Sequence, residues 1–253
     1  MVKNDGRFRC ALLKYAHSDP LSLMLGNLCT QVRSSPASNL HNVLDGHVDV
    51  AMVSVLSYFD NRDTLKILHG PTIHSLYTTG STLLISNGAP MERTMRIAKT
   101  PETRTTEAYL SIILKSMGIE FTFTDAGFPD ADSLLENSSH ALIMGDEALK
   151  VYGSRHRILL DVGYELQKLF HISPLYAVTV ARSDLEADVS FLTQGAISTR
   201  ERNLRKTCAE GSSRRLGVPY HILRWYYDLI KYSFDSRVMK SLEFIESRLQ
   251  EDN

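Results

Sequence analysis

Long apolar runs are missing from this chain. No stretch reaches the roughly eighteen apolar residues that a spanning helix needs, so no membrane span is expected. Charge of one sign is missing as well. Lys and Arg total 28 against 29 Asp and Glu, giving a net charge of -1. The broad basic field of a general nucleic-acid binder is therefore excluded. Cysteine is scarce: Cys10, Cys29 and Cys208 form an odd set without metal-ligand spacing. They read as small buried hydrophobes rather than a disulfide framework. The nine histidines show no metal spacing either, and no glycine loop has a nucleotide-binding pattern. No metal and no cofactor is expected. The first nine residues are charged and lead straight into Cys10-Ala11-Leu12-Leu13, without the apolar core of a secretion signal. The expected compartment is the cytoplasm.

What is present is an ordinary globular composition, 43% apolar and 23% charged over 253 residues, enough for one large domain or two lobes. Apolar runs predict strands over 8–14, 48–55, 65–68, 82–86, 96–98, 120–124, 141–144, 157–161 and 175–181. Helices are predicted over 21–28, 39–44, 105–118, 130–136 and 147–152; residues 33–38 read as a loop and 69–81 as turn-like. From residue 184 the pattern is helical only, over 184–207, 219–232 and 236–248, with a polar end at 250–253. Short strands alternating with short helices imply an α/β fold of parallel-type sheets with helices on their faces. The helical tail has no later strand to pack on. It is expected to complete lobe one, residues 1–86 plus 182–253, with lobe two at 87–181. Two crossings, near Ser86 and Ala181, would then flank a cleft.

Two strands point to a ligand site. Ala141-Leu142-Ile143-Met144 ends at Gly145 and delivers Asp146, and Val48 to Val55 ends through Ser54. Strands that stop in small or polar residues suit a site at the strand ends of an α/β lobe. The basic cluster Arg200, Arg202, Arg205, Lys206, Arg214 and Arg215 is interrupted by Glu201 and Glu210 and reads as a solvated helix face.

Several segments, in order, resemble the menaquinone biosynthesis family of the futalosine route, which contains chorismate dehydratase. Tyr15-Ala16-His17-Ser18-Asp19-Pro20 is similar to its Tyr-x-Asn-Thr/Ser-x-Pro segment. Asp49 to Val55, Gly80-Ser81-Thr82 through Ser86, Thr103-Arg104-Thr105-Thr106, Gly145-Asp146-Glu147-Ala148-Leu149 and Asp161-Val162-Gly163 resemble further family elements. The likeness runs from about residue 8 to 248. Two positions depart from it: His17 stands where the family usually has Asn, and residues 174–181 lack the usual Trp. The resemblance implies a two-lobed, type II periplasmic-binding-protein-like fold and a small dicarboxylate substrate.

For chorismate, the resemblance implies anion-binding groups. A helix N-terminus offers free N–H groups and a favourable dipole, which Thr105 and Thr106 would supply with Arg104 just before them. Ser81 and Thr82 would hold another carboxylate. His17 is either an acid–base group or a hydrogen-bonding replacement for Asn. Asp146 either assists the departing water or caps the following helix. Tyr15, Ser18, Ser54 and Gly145 complete the candidate set. Three activities stay open: chorismate dehydration, a dihydroxynaphthoate-forming reaction of the same pathway, and binding of a small carboxylate without turnover.

Overall fold

The protein, a computed structural model, describes residues 8–199 and 202–251. Arg200 and Glu201 of the basic cluster, the charged residues 1–7 and the end at 252–253 lie outside the described residues. In chain order the elements are β1 (Phe8–Leu13), α1 (Asp19–Leu25), β2 (Cys29–Ser34), α2 (Pro36–Leu44), β3 (Val50–Ser54), α3 (Val55–Asp60), β4 (Leu65–Ile67), β5 (Ile73–Ser75) and β6 (Thr82–Ser86). There follow β7 (Thr94–Lys99), α4 (Arg104–Ser116), β8 (Glu120–Asp125), α5 (Ala131–Leu135), β9 (His140–Met144), α6 (Gly145–Lys150), β10 (Arg157–Asp161), α7 (Val162–Phe170) and β11 (Leu175–Arg182). The last are α8 (Ser190–Ser198), α9 (Arg202–Leu216), α10 (Tyr220–Leu229), β12 (Ile230–Lys231) and α11 (Ser236–Glu251).

The chain divides into two units. Unit one holds the residues up to His74, Leu175–Arg205, and those from Lys231 onward; unit two holds Ser75–Pro174 and Lys206–Ile230. The first sheet runs β12-β5-β11-β3-β1-β2 with β4 beside β11, and the second runs β10-β6-β9-β7-β8. β1 pairs in parallel with β2 and β3, and β7 with β8 and β9. β11 is antiparallel to β3, β4 and β5, and β6 is antiparallel to β9 and β10. The sheets are thus mixed, where parallel-type sheets were expected. The reason is topological. β5 leaves unit one and β11 returns to it alongside, so the two run in opposite directions like the arms of a hairpin.

The boundaries expected at 86/87 and 181/182 are corrected. β6 belongs to the second sheet, bonded on both sides to β9 and β10. β11 belongs to the first. The tail is shared: α8 and α11 lie in unit one, α10 and α9 from Lys206 onward in unit two. The chain therefore passes between the units four times, not twice.

Each sheet is covered on both faces, so its central strands are apolar throughout. Leu83, Leu84 and Ile85 of β6 and Ala141 and Leu142 of β9 are fully buried, as are Val53 of β3 and Val178 and Val180 of β11. Alternating residues of β6 and β9 point one way into a cluster of Leu83, Ile85, Ala141 and Ile143 with Leu134, Ala148 and Val151. Cys10, Cys29 and Cys208 are buried and form no disulfide.

Candidate functional site

In unit two, β7 ends at Lys99, and a short turn, Pro101–Thr103, leads into α4. That turn packs against β9. Thr103 is the N-cap residue, but its hydroxyl donates back to the Thr100 carbonyl at 2.6 Å and makes no cap. The first N–H groups of a helix have no intrahelical acceptor, and here no Thr103 side chain serves them. Thr105 and Thr106 sit in that first turn, both buried, and Thr105 Oγ1 has no hydrogen-bond partner among the described residues. Thr105 is therefore not the helix cap. Arg104 is exposed. Lys99 Nζ, mostly buried, lies 3.1 Å from Glu107 Oε2 and 2.7 Å from Asp125 Oδ1. Burial works against its charge, but the carboxylates of Asp125 and Glu107 outweigh it and hold the lysine pKa above its ordinary value.

Ser81 and Gly145 are brought together by backbone: Gly145 N–H donates to the Ser81 carbonyl at 2.8 Å. Gly145 has φ 64, a left-handed conformation that lets β9 turn at once into α6. Ser81 Oγ donates to the Tyr226 hydroxyl at 3.3 Å, and Thr82 pairs with Met144 across the ladder. Both side chains are buried. Asp146, in the first turn of α6, places Oδ2 3.4 Å from Arg215 Nη1 of α9. Arg215 Nη2 in turn donates to Ser212 Oγ, which pairs with the Tyr227 hydroxyl.

Asp161 fixes the segment that presents Ser81. Its carboxylate accepts from Thr78 Oγ1 at 2.7 Å, Thr79 N–H at 3.2 Å, Gly80 N–H at 2.6 Å and Tyr164 N–H at 2.9 Å. The last of these caps α7. Gly80 has φ 73, and a Cβ there would stand 2.9 Å from the Trp225 ring. This position admits only glycine without strain.

In unit one, β1 ends in a 3-10 turn of Ala16, His17 and Ser18 before α1. Tyr15, His17 and Ser18 are all buried. The Tyr15 and His17 rings lie 5.5 Å apart. Ser18 precedes α1 but makes no side-chain cap, and its Oγ has no hydrogen-bond partner among the described residues. Burial above all, then the Arg33 charge, push the His17 pKa down to about 3, with Asp19 opposing. His17 is thus a neutral imidazole near pH 7, one donor and one acceptor. Ser54 has a different occupation. It caps α3, accepting from Ser57 N–H at 3.1 Å with Ser57 Oγ at 2.7 Å.

Sequence reasoning quoted Asp161 as part of a family element without its role, and gave no site role to Lys99, Arg215 or Tyr226. Lys99 had a signal, a lone lysine closing an apolar strand. Asp161 and Arg215 bond to partners about eighty and seventy residues away, and no local pattern names those partners. Among the described residues no group of three or more His, Cys, Asp or Glu is placed to hold a metal ion. No helix among them is long and apolar enough to cross a membrane.

Comparison with known proteins gives the fold and the family. A chorismate dehydratase of Thermus thermophilus is 25% identical over 245 residues, covering 88% of each chain. The fold matches a crystal structure of a protein from Archaeoglobus fulgidus (TM-score 0.76, 12% identity, 99% of both chains). It also matches the periplasmic aliphatic sulphonate binding protein of Escherichia coli (TM-score 0.69, 13% identity, 96% of this chain and 88% of that one). These likenesses give the fold, the two-lobed mixed α/β architecture of type II periplasmic binding proteins. A family match spans residues 8–251, and the chain belongs to the menaquinone biosynthesis family.

Proposed function

We propose that the protein is a chorismate dehydratase, a carbon–oxygen hydro-lyase that converts chorismate to 3-[(1-carboxyvinyl)oxy]benzoate. The observation that carries the reading is the start of α4. It is a thirteen-residue helix without a side-chain cap, with the buried, unpartnered Thr105 Oγ1 in its first turn. A helix dipole and a buried hydroxyl donor suit a carboxylate. Family membership and the dehydratase relative support the choice of substrate.

The reaction breaks a ring C–H bond and the neighbouring C–OH bond. One water leaves and the ring becomes aromatic, so the demand on the protein is pose and charge placement rather than strong acid or base. In unit two, Thr105, Thr106 and the α4 N–H groups take a carboxylate, with Arg104 adding positive charge nearby. Ser81 and Thr82 are further hydroxyl donors, Gly145 keeps the turn beside them open, and Asp146, steadied by Arg215, is an acceptor for hydroxyl or water. Unit one, taken by itself, holds Tyr15, His17 and Ser18 buried at the start of α1. His17 acts as a neutral hydrogen-bonding group, since a pKa of about 3 makes it a poor base and leaves it no proton to give as an imidazolium. Ser54 serves as a helix cap and is left out.

The test is incubation of purified protein with chorismate and, separately, with cyclic dehypoxanthinyl futalosine, followed by mass spectrometry. Loss of water from chorismate is the expected result. A naphthoate product from the futalosine, or thermal stabilisation by either compound without product, would replace this reading.

A further inference from the structure

Unit two holds a cation that the reading above does not use. Lys99 closes β7, which runs parallel to β8 and β9, so it stands at carboxyl strand ends, where ligands of α/β sheets bind. Across the ladder it pairs with Asp125, the last residue of β8. Its Nζ lies 2.7 Å from Asp125 Oδ1 and 3.1 Å from Oε2 of Glu107, in the first turn of α4. The lysine side chain is 13% exposed, those of Glu107 and Asp125 29% and 70%. The Lys99–Glu107 contact is therefore the sheltered one, where charge is less screened.

Glu107 is an awkward neighbour for a carboxylate site. The dipole of α4 attracts negative charge to its first turn, and Glu107 already supplies one. A ligand carboxylate beside Thr105 and Thr106 would meet that like charge one or two residues along the chain. Asp125 adds a second. Lys99 is bonded to both. Burial works against its charge, but the hydrogen bonds to Asp125 and Glu107 hold its pKa above the ordinary lysine value, so the cation is present at neutral pH. The turn before α4 reaches the surface, with Pro101 and Arg104 exposed on either side of Thr103.

We propose that Lys99 is a positioning residue of the carboxylate site at the start of α4: it holds the Glu107 carboxylate and offsets its charge, so that a ligand carboxylate is accepted there. This rests on the carboxylate reading of α4 and on residues of unit two alone. Lys99 acts through Glu107 and does not touch the ligand. A mere latch between β7, β8 and α4 would need the same contacts but not the charge balance, and that difference is measurable.

Lys99→Met keeps much of the side chain's length and removes its charge. It is expected to raise KM for chorismate about 3- to 15-fold and leave kcat within about twofold, the effect of one stranded unit charge about 10 Å away at an effective dielectric of about 20, partly screened by salt. Adding Glu107→Gln removes the stranded carboxylate and should return KM to within about threefold of the wild-type value, although the contact is still lost. Glu107→Gln alone, with Lys99 intact, should lower KM about 2- to 5-fold. A double variant as weak as Lys99→Met, an unchanged KM in Lys99→Met, or a raised KM in Glu107→Gln would make Lys99 a latch and overturn the proposal. Backbone amide NMR gives a readout that needs no turnover. Titration with benzoate, a plain monocarboxylate, is expected to move the Thr105 and Thr106 signals in the wild type, less in Lys99→Met, and again in the double variant. If chorismate neither binds nor reacts while benzoate follows this pattern, the chorismate reading falls and the role of Lys99 stands. Signals unmoved by benzoate and by chorismate alike in the wild type would remove the carboxylate site and the proposal with it.

Discussion

Thr105→Val is the most discriminating perturbation, because it moves two quantities in opposite directions. The substitution keeps the branched shape and deletes one hydroxyl. In the free protein that hydroxyl is buried and its Oγ1 lacks a partner, so its removal relieves a desolvation cost. A buried, unpaired hydroxyl costs about 1–3 kcal/mol, and part of that should return as stability. In the proposed complex the same hydroxyl would donate to a carboxylate. A hydrogen bond to a charged group contributes about 1.5–3 kcal/mol, or about 10- to 150-fold in affinity. Urea unfolding of both proteins gives the first quantity, and the KM for chorismate or the dissociation constant by calorimetry gives the second. The variant is expected to be at least as stable as the parent while binding chorismate more weakly. A destabilised variant with unchanged affinity would refute the reasoning, since Thr105 would then be an ordinary packed residue.

Three further outcomes follow from the same geometry. Asp161→Ala leaves the Thr79, Gly80 and Tyr164 N–H groups without their acceptor and should cost about 3 kcal/mol in urea unfolding, with turnover falling as Ser81 loses its support. Gly80→Ala puts a Cβ 2.9 Å from Trp225 in a left-handed conformation and should cost about 2–4 kcal/mol; a loss under 0.5 kcal/mol would mean that the loop adapts freely. Acid should destabilise the fold through His17. Its folded pKa, about 3, lies below the unfolded value of 6.5, so the unfolded chain binds the proton first. The stability it contributes is complete above pH 6.5 and falls towards pH 3, by about 2 kcal/mol at pH 5. His17→Gln should flatten the difference between urea midpoints at pH 7 and pH 5, and an unchanged slope would show His17 to be solvated.

Much of the fold was legible because its signals are local. β1, β3, β6 and β9 are short apolar runs, and α4 shows hydroxyls at its start, an apolar stripe and a glycine after its end. The start of α4 was readable as a helix start for the same reason. β2 was not, because Thr30, Gln31 and Arg33 give it the polar look of a sheet edge, which is its place in the sheet. β5 is three residues long and hides in a turn-like stretch. The unit boundaries escaped because β6 and β11 are both apolar runs, and only long-range pairing decides which sheet each joins. Ser54 was read as a site residue, and its bond to the Ser57 N–H as the cap of α3 is visible only in the structure.

The central claim meets its most direct test in a mass-resolved time course of chorismate with the purified protein, run beside Thr105→Val. The account predicts that chorismate loses one water to give 3-[(1-carboxyvinyl)oxy]benzoate, and that the variant does so with a KM raised about 10-fold or more. Chorismate left intact by the folded wild-type protein, or turned over with the same KM by both, would contradict it.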